Sequence, residues 1–381
     1  MPIPEGGISV EPFPFQQFVV KIASRCDLAC DHCYIYRSAD QGWRSQPAVM
    51  SAATMDHTAE RIAEHAAAHA LPQVGVVLHG GEPLLAGPGR IRHFVRRVRE
   101  AADAVATRVD VRLQTNAVRL TGAHLDLFDE LGVRVGVSLD GDAEAHDRHR
   151  VDARGRGSHA AVAKGLRLLS ARPALFGGLL CTVDLANDPV STYEALLPYS
   201  PPRVDFLLPH GNWTRPPPGR EAGSAATPYG DWLTAVFDRW YCAPRRETGV
   251  RLFEEIVNVL LGGVSRREDV GLGPTRYVTV DTDGAIGRSD ILKSAYQGAA
   301  DTGLNVGAHP FDAALPAARL LSPACRACRI VRVCGGGLHP HRYRAGEGFD
   351  NPSVYCPDLF RLISHIRCRL TADLAGLRAA P

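Results

Sequence analysis

From Gln17 to about Leu208 the chain alternates short β-rich runs with amphipathic stretches, and this alternation limits its possible folds more than any other feature. The strand candidates are FVVKIA (18–23), VGVVLH (74–79), VDVRLQ (109–114), VRVGVSL (133–139), FGGLLCTV (176–183) and VDFLLP (204–209). Helical candidates lie between them near 54–70, 88–104, 121–131, 158–171 and 188–198. Ser51 or Thr54 ahead of an Ala-rich run marks the start of the first. Six strands separated by helices are parallel strands joined by right-handed crossovers. A doubly wound sheet and a partial (β/α) barrel both satisfy this pattern, and periodicity does not choose between them. In either, chemistry belongs at the C-terminal ends of the strands.

After Pro209 the pattern breaks. The stretch TRPPPGREAGSAATP (214–228) reads as an exposed connection, and two helices follow at about 229–241 and 250–262. From Gly271 the chain is rich in Gly and Cys, with short strand-like pieces such as RYVTVD (276–281). The expected division is therefore a strand–helix domain over 1–213, a linker and bridging helices over 214–270, and a small domain over 271–381 organised by something other than a large apolar core.

Charge and targeting signals restrict the partners. With 43 basic and 41 acidic side chains the formal net charge is +2, which argues against a nucleic-acid or membrane-surface binder. No apolar run approaches the ~18 residues of a membrane span. The start, MPIPEGGISVEPFPF, has neither a charged n-region nor an apolar h-region, so a cytoplasmic location is expected. Only three basic residues are lysines (Lys21, Lys164, Lys293), which reads as genomic bias. Ten cysteines in a reducing compartment are then metal ligands, nucleophiles or buried thiols rather than disulfides.

Three of these follow the first strand as Cys26-x3-Cys30-x2-Cys33, with Tyr34 next. Three thiolates on one loop are one ligand short of a closed four-cysteine site and suit a [4Fe–4S] cluster with one open iron. A zinc site completed by His32, or three incidental thiols, are the other readings. CxxxCxxC after the first strand of a βα repeat resembles the signature of radical S-adenosylmethionine (SAM) enzymes, and the resemblance continues along the strand ends. Gly80-Gly81-Glu82-Pro83 after strand two is similar to that family's GGEP motif, which contacts the SAM amino group. Gln114-Thr115-Asn116 resembles its QTN. Ser138-Leu139-Asp140-Gly141 resembles its SLDG, with Ser138 near the SAM ribose. Arg150 matches the arginine that pairs with the SAM carboxylate, a role suited to a planar guanidinium. The resemblance implies a partial (β/α)6 TIM-like barrel. It also implies that a SAM-bound cluster yields a 5′-deoxyadenosyl radical, which the protein holds beside one substrate C–H bond.

A second group, Cys325-x2-Cys328-x5-Cys334 before Gly335-Gly336-Gly337, with Cys356 beyond, resembles the SPASM extension of radical SAM peptide maturases. That extension normally carries two auxiliary clusters. Here Leu338 and Ser289 stand where two of its cysteines would be, and the resemblance implies one auxiliary [4Fe–4S] cluster held by Cys325, Cys328, Cys334 and Cys356. A four-cysteine zinc site also satisfies the spacing. Asp290 stands where formylglycine-forming and cyclophane-forming relatives are proposed to carry a general base; a solvated turn aspartate is the alternative. Cys181 reads as a buried small hydrophobe. His65 and His69, spaced i, i+4 without a third ligand, are expected to face solvent. His210 and Trp213 are candidate substrate contacts, and His339, His341 and Tyr343 adjoin the auxiliary site.

Longer stretches, including SRCDLACDHCYIY, VVLHGGEPLLAG, CGGGLHPHRY and GFDNPSVYCPDL, resemble the FxsB-type radical SAM/SPASM maturases. The resemblance implies a ribosomal precursor peptide as substrate, a flavodoxin- or ferredoxin-type electron donor, and an aromatic-ring-to-Cβ crosslink as product, a three-residue cyclophane. Thioether formation, epimerisation or formylglycine formation would use the same parts. A non-catalytic two-zinc scaffold is the distant alternative.

Overall fold

Parallel pairing runs unbroken through the first six strands of the computed structural model, which describes residues 13–221, 223–315 and 320–379. These strands are β1 (Gln17–Ala23), β2 (Gln73–Gly80), β3 (Arg108–Thr115), β4 (Arg134–Ser138), β5 (Phe176–Thr182) and β6 (Arg203–Leu207), and they are neighbours in that order. A doubly wound sheet reverses its strand order midway; this one does not. The fold is the partial (β/α) barrel. The N-terminal residues 1–12, read above for an export signal, lie outside the described residues.

The crossovers are α1 (Ala52–Ala68), α2 (Pro88–Asp103), α3 (Gly122–Glu130), α4 (Ala143–His149), α5 (His159–Ser170) and α6 (Pro189–Leu196). Side chains fix several starts: Ser51 accepts from the Thr54 N–H, Thr121 from His124, Asp142 from Ala145 and Asp188 from Ser191. Helix α4 has no counterpart among the helices expected from the sequence. Its segment AEAHDRH lacks an apolar stripe, and the Asp142 cap starts it instead. Strand residues such as Val20, Ile22, Val76, Leu78, Val135, Val137 and Phe206 are almost fully buried between sheet and helices. Cys181 lies among them as a buried thiol, as expected.

Two short additions complete the sheet. Strand β7 (Gly249–Val250) pairs parallel with β6. On the other edge β8 (Tyr277–Val280) pairs parallel with β1, and β9 (Ala285–Gly287) and β10 (Asp301–Asn305) follow antiparallel. The C-terminal segment therefore extends the barrel sheet, forming one sheet of ten strands. Helices α7 (Pro228–Tyr241) and α8 (Arg251–Leu260) bridge the two parts. Two one-turn helices, α9 (Pro323–Arg326) and α10 (Val331–Cys334), carry cysteines, and α11 (Cys356–Ala379) packs along α7. Among the described residues no helix is long and apolar enough to cross a membrane.

One expectation fails on α1. His65 does not face solvent: it is 2% exposed, because the turn Phe311–Ala314 covers the end of the helix. Asp312 on that turn meets both His65 and His69, a contact across more than 240 residues that local sequence cannot reveal.

Candidate active site

Residues 24–41 leave β1 without regular structure and cross the C-terminal ends of the strands. Cys26, Cys30 and Cys33 on this loop line one pocket with Gly80, Gly81 and Glu82 after β2, Gln114 and Asn116 at β3, and Ser138 at β4. Arg150, Thr182 and His210 complete its wall. It encloses about 980 Å³ of free space, its open mouth included. A groove bordered by Arg37, Asp140, Asp184 and Arg215 opens beside it and shares His32, Cys33 and His210.

The two glycines allow this assembly. A Cβ on Gly80 would lie 2.2 Å from the Ala23 carbonyl oxygen, and one on Gly81 2.1 Å from that of Arg25. The next N–H, on Glu82, donates to the same Arg25 carbonyl at 2.9 Å. Farther along the loop, Asp27 accepts from Asn116 Nδ2 at 2.9 Å and from Arg119 Nε at 2.7 Å. The Ala29 N–H donates to the Val151 carbonyl at 2.7 Å. The loop is thus tied to the ends of β1, β2 and β3 and to the segment after α4.

The Glu82 carboxylate is spent on the protein. It accepts from Thr115 Oγ1 at 2.7 Å, the Asn116 N–H at 2.9 Å and the Leu84 N–H at 3.0 Å. Burial nevertheless pushes its pKa up to about 7. Pro83 is buried in the turn behind the pocket wall. Gln114 Nε2 donates to Ser138 Oγ at 3.1 Å, so the two polar groups act together at the β3–β4 edge. Arg150 is pinned by Asp140 through Nε at 2.5 Å and Nη2 at 3.2 Å. Burial opposes the Asp140 charge, but Arg150 outweighs it and keeps the carboxyl below its usual range.

Burial pushes the Cys26 thiol up to about 12 and Cys30 to about 11, and raises Cys33. Thiolates at this depth need a compensating cation, which is what a metal centre supplies. Among the described residues, no three cysteine sulfurs of either group come within 4.8 Å of one another. Tetrahedral zinc, with Zn–S near ~2.3 Å, draws its sulfurs closer than that.

The second group assembles across α9, α10 and the start of α11. Burial pushes Cys334 up to about 12, with Cys356 and Cys325 near enough to add to the shift. Cys356 in turn neighbours Cys325 and Cys328. Gly335, Gly336 and Gly337 all have positive φ, and a Cβ on Gly335 would lie 1.7 Å from the Gly271 carbonyl oxygen. Arg342, which no sequence motif singles out, is fully buried. It donates to the carbonyls of Gly335, Gly336 and Gly337 at 2.6, 2.9 and 3.3 Å. Ser289 binds the Tyr277 hydroxyl and lies 3.5 Å from a Glu268 carboxylate oxygen. A hydroxyl network therefore stands where a second auxiliary ligand would be.

Asp290 is buried rather than solvated, which removes the turn reading. Lys21 Nζ lies 2.5 Å and Lys293 Nζ 3.3 Å from its Oδ1, and both lysines also reach Asp281, at 3.3 and 2.8 Å. Burial opposes its charge, but the two ammonium groups prevail and hold the carboxyl far below its usual range. Tyr34, in the pocket wall, lies near enough to Asp290 for that carboxylate to add to the burial that raises its hydroxyl's pKa, so the carboxylate stands close behind the cavity. Tyr34 also meets the His210 ring edge-on at 5.0 Å. Trp213 is taken up by packing: its Nε1 donates to the Pro352 carbonyl at 2.7 Å.

Comparison with known proteins agrees with this fold. A family model described as the Radical SAM superfamily matches residues 20–174. The serine-type anaerobic sulfatase-maturating enzyme of Klebsiella aerogenes is 27% identical over 97% of this chain and 90% of its own length. The cysteine-type enzyme of Clostridium perfringens strain 13 is 21% identical over 90% and 94%. Among solved structures, native anSMEcpe with bound AdoMet superposes with a TM-score of 0.77, at 20% identity over 93% of this chain and 98% of that one. SuiB of Streptococcus suis bound to precursor peptide SuiA gives 0.56, at 12% identity over 91% and 76%.

Two outcomes follow for variants. Gly81→Ala displaces the cysteine loop, so the anaerobically reconstituted variant should hold roughly half the wild-type iron by metal analysis. Arg342→Met strands several buried carbonyls and should cost at least about 3 kcal/mol in chemical denaturation, with Arg342→Lys giving little rescue.

Proposed function

We propose that the chain, whose residues 20–174 match the Radical SAM superfamily model, is a radical SAM peptide maturase removing a hydrogen atom from the Cβ of one residue in a peptide substrate. The observation that carries this reading is the pocket in which the three-cysteine loop meets the polar ends of the barrel strands. When bound there, SAM and a reduced [4Fe–4S] cluster would supply the hydrogen-abstracting radical chemistry. Cys26, Cys30 and Cys33 hold the cluster. Gly80 and Gly81 offer backbone to the SAM amino group, Ser138 and Gln114 face its ribose, and Arg150, fixed by Asp140, keeps Nη1 for its carboxylate. The adjoining groove gives an extended peptide room to reach the pocket.

The residual chemistry, loss of one electron and one proton from the substrate radical, belongs to the second half of the chain. Cys325, Cys328, Cys334 and Cys356 would hold an auxiliary [4Fe–4S] cluster able to accept the electron, and a flavodoxin- or ferredoxin-type donor would supply the reducing electron. Asp290, kept ionised by Lys21 and Lys293, takes the proton through Tyr34. The near full-length similarity to sulfatase-maturating enzymes favours oxidation of a serine or cysteine to formylglycine. Ser289 and Leu338, in place of first-auxiliary-cluster cysteines, favour the cyclophane reading, which uses the same Cβ–H cleavage.

Mass spectrometry of a candidate peptide after reaction separates the two. A loss of about two mass units at one serine, or of about 18 at one cysteine whose sulfur leaves as sulfide in exchange for water oxygen, with an aldehyde that captures a hydrazide, identifies formylglycine. The same loss spanning an aromatic residue and the residue two positions on, without an aldehyde, identifies the cyclophane. Peptides left chemically unaltered, with unchanged stereochemistry, contradict the proposal. In Asp290→Asn, peptide-dependent 5′-deoxyadenosine should persist while modified peptide falls at least tenfold, about 1.4 kcal/mol or more in barrier. An equal loss of both would place Asp290 at an earlier step.

A further inference from the structure

We propose that His65, His69 and Asp312 form a binding site for a divalent transition-metal ion, separate from both cysteine groups and clamping α1 to the C-terminal segment. The proposal does not depend on the catalytic reading.

Three features of the cluster carry it. His65 Nδ1 lies 2.5 Å and His69 Nε2 2.9 Å from a single oxygen, Asp312 Oδ1, so two imidazoles converge on one acceptor atom. All three ligand atoms lie within 4.8 Å of one another. The i, i+4 spacing places both rings on one face at the end of α1, their centroids 4.6 Å apart. A tetrahedral ion bound at ~2.0–2.2 Å from each ligand needs these contacts to open to ~3.4 Å, and the partners can yield. His69 is the C-cap residue of its helix and Asp312 sits on a short turn, with side chains 27% and 40% exposed.

The surroundings suit an ion of intermediate softness. Phe18 and Phe311, 4.8 Å apart, wall off the inner side of His65, and burial lowers the basicity of that ring, favouring the neutral form a metal requires. Two imidazole nitrogens and one carboxylate oxygen match Zn²⁺, Co²⁺ or Ni²⁺ rather than Mg²⁺ or Ca²⁺, which take oxygen sets. The outer side, open at Asp312, leaves a position for water. In effect the ion would join residues 65 and 69 to residue 312, on the face where β8 meets β1.

Because His69 and Asp312 are partly exposed, replacing them leaves the core intact, and two independent variants test the site. One equivalent of Zn²⁺ is added anaerobically to the cluster-loaded protein, excess is removed by gel filtration, and zinc and iron are measured together. The wild type should retain about one zinc per chain with its iron unchanged, and its Tm should rise by several degrees. His69→Ala and Asp312→Asn should each bind zinc at least tenfold more weakly. Equal uptake by wild type and variants, uptake at the expense of iron, or no uptake, leaving a hydrogen-bonded latch only, would each overturn the proposal.

Discussion

The approach of the Gly80–Gly81 backbone to the carbonyls of Ala23 and Arg25 is the contact on which the rest of the site depends. It presses the end of β2 against the start of the cysteine loop at a distance no side chain tolerates. The loop then runs over the strand ends rather than away from them. Once it is there, Asp27, Asn116 and Arg119 fix its outer course, and Glu82 spends its carboxylate holding β3 in register with β2. The glycines of this motif are thus required by the protein's own backbone before any ligand is considered, and its glutamate is a strut as much as a contact.

Strand β1 gives that arrangement its reach. It pairs with β2 on one side and β8 on the other, feeds the cysteine loop at its end, and carries Lys21 into the quartet with Asp281, Lys293 and Asp290. The C-terminal segment is therefore positioned by sheet hydrogen bonds, and the distance from Tyr34 to Asp290 is set by the same strand that sets the cysteines. In a chain that uses arginine for nearly every cation, two of three lysines sit at this point. A compact ammonium fits between the buried Asp290 and the partly buried Asp281 where a guanidinium fork would not. Lysine scarcity, which reads as genomic bias, thus holds a second signal: the positions where arginine has not replaced lysine.

The barrel strands were legible because buried parallel strands are written as unbroken β-rich runs. The cysteine, GGEP and QTN motifs were legible because each is local. What stayed hidden was non-local or too short to leave a pattern. The two residues of β7, the β8–β1 pairing, and the Asp312 contact that buries His65 all depend on partners far along the chain. Arg342 looked like one arginine among forty; only the three stacked glycine carbonyls give it a role. The pinning of Arg150 by Asp140 across a turn was likewise invisible in a run of histidines and arginines.

The proposed chemistry rests on SAM binding, in the pocket at the mouth of the barrel, to a cluster held by Cys26, Cys30 and Cys33. The most direct measurement is 5′-deoxyadenosine formation from SAM by the reduced, anaerobically reconstituted protein, compared with Cys30→Ala. The account predicts formation by the wild type and its loss in the variant, which retains the iron of the auxiliary site. Undiminished formation by Cys30→Ala, or a wild type that holds zinc in place of iron, would contradict it.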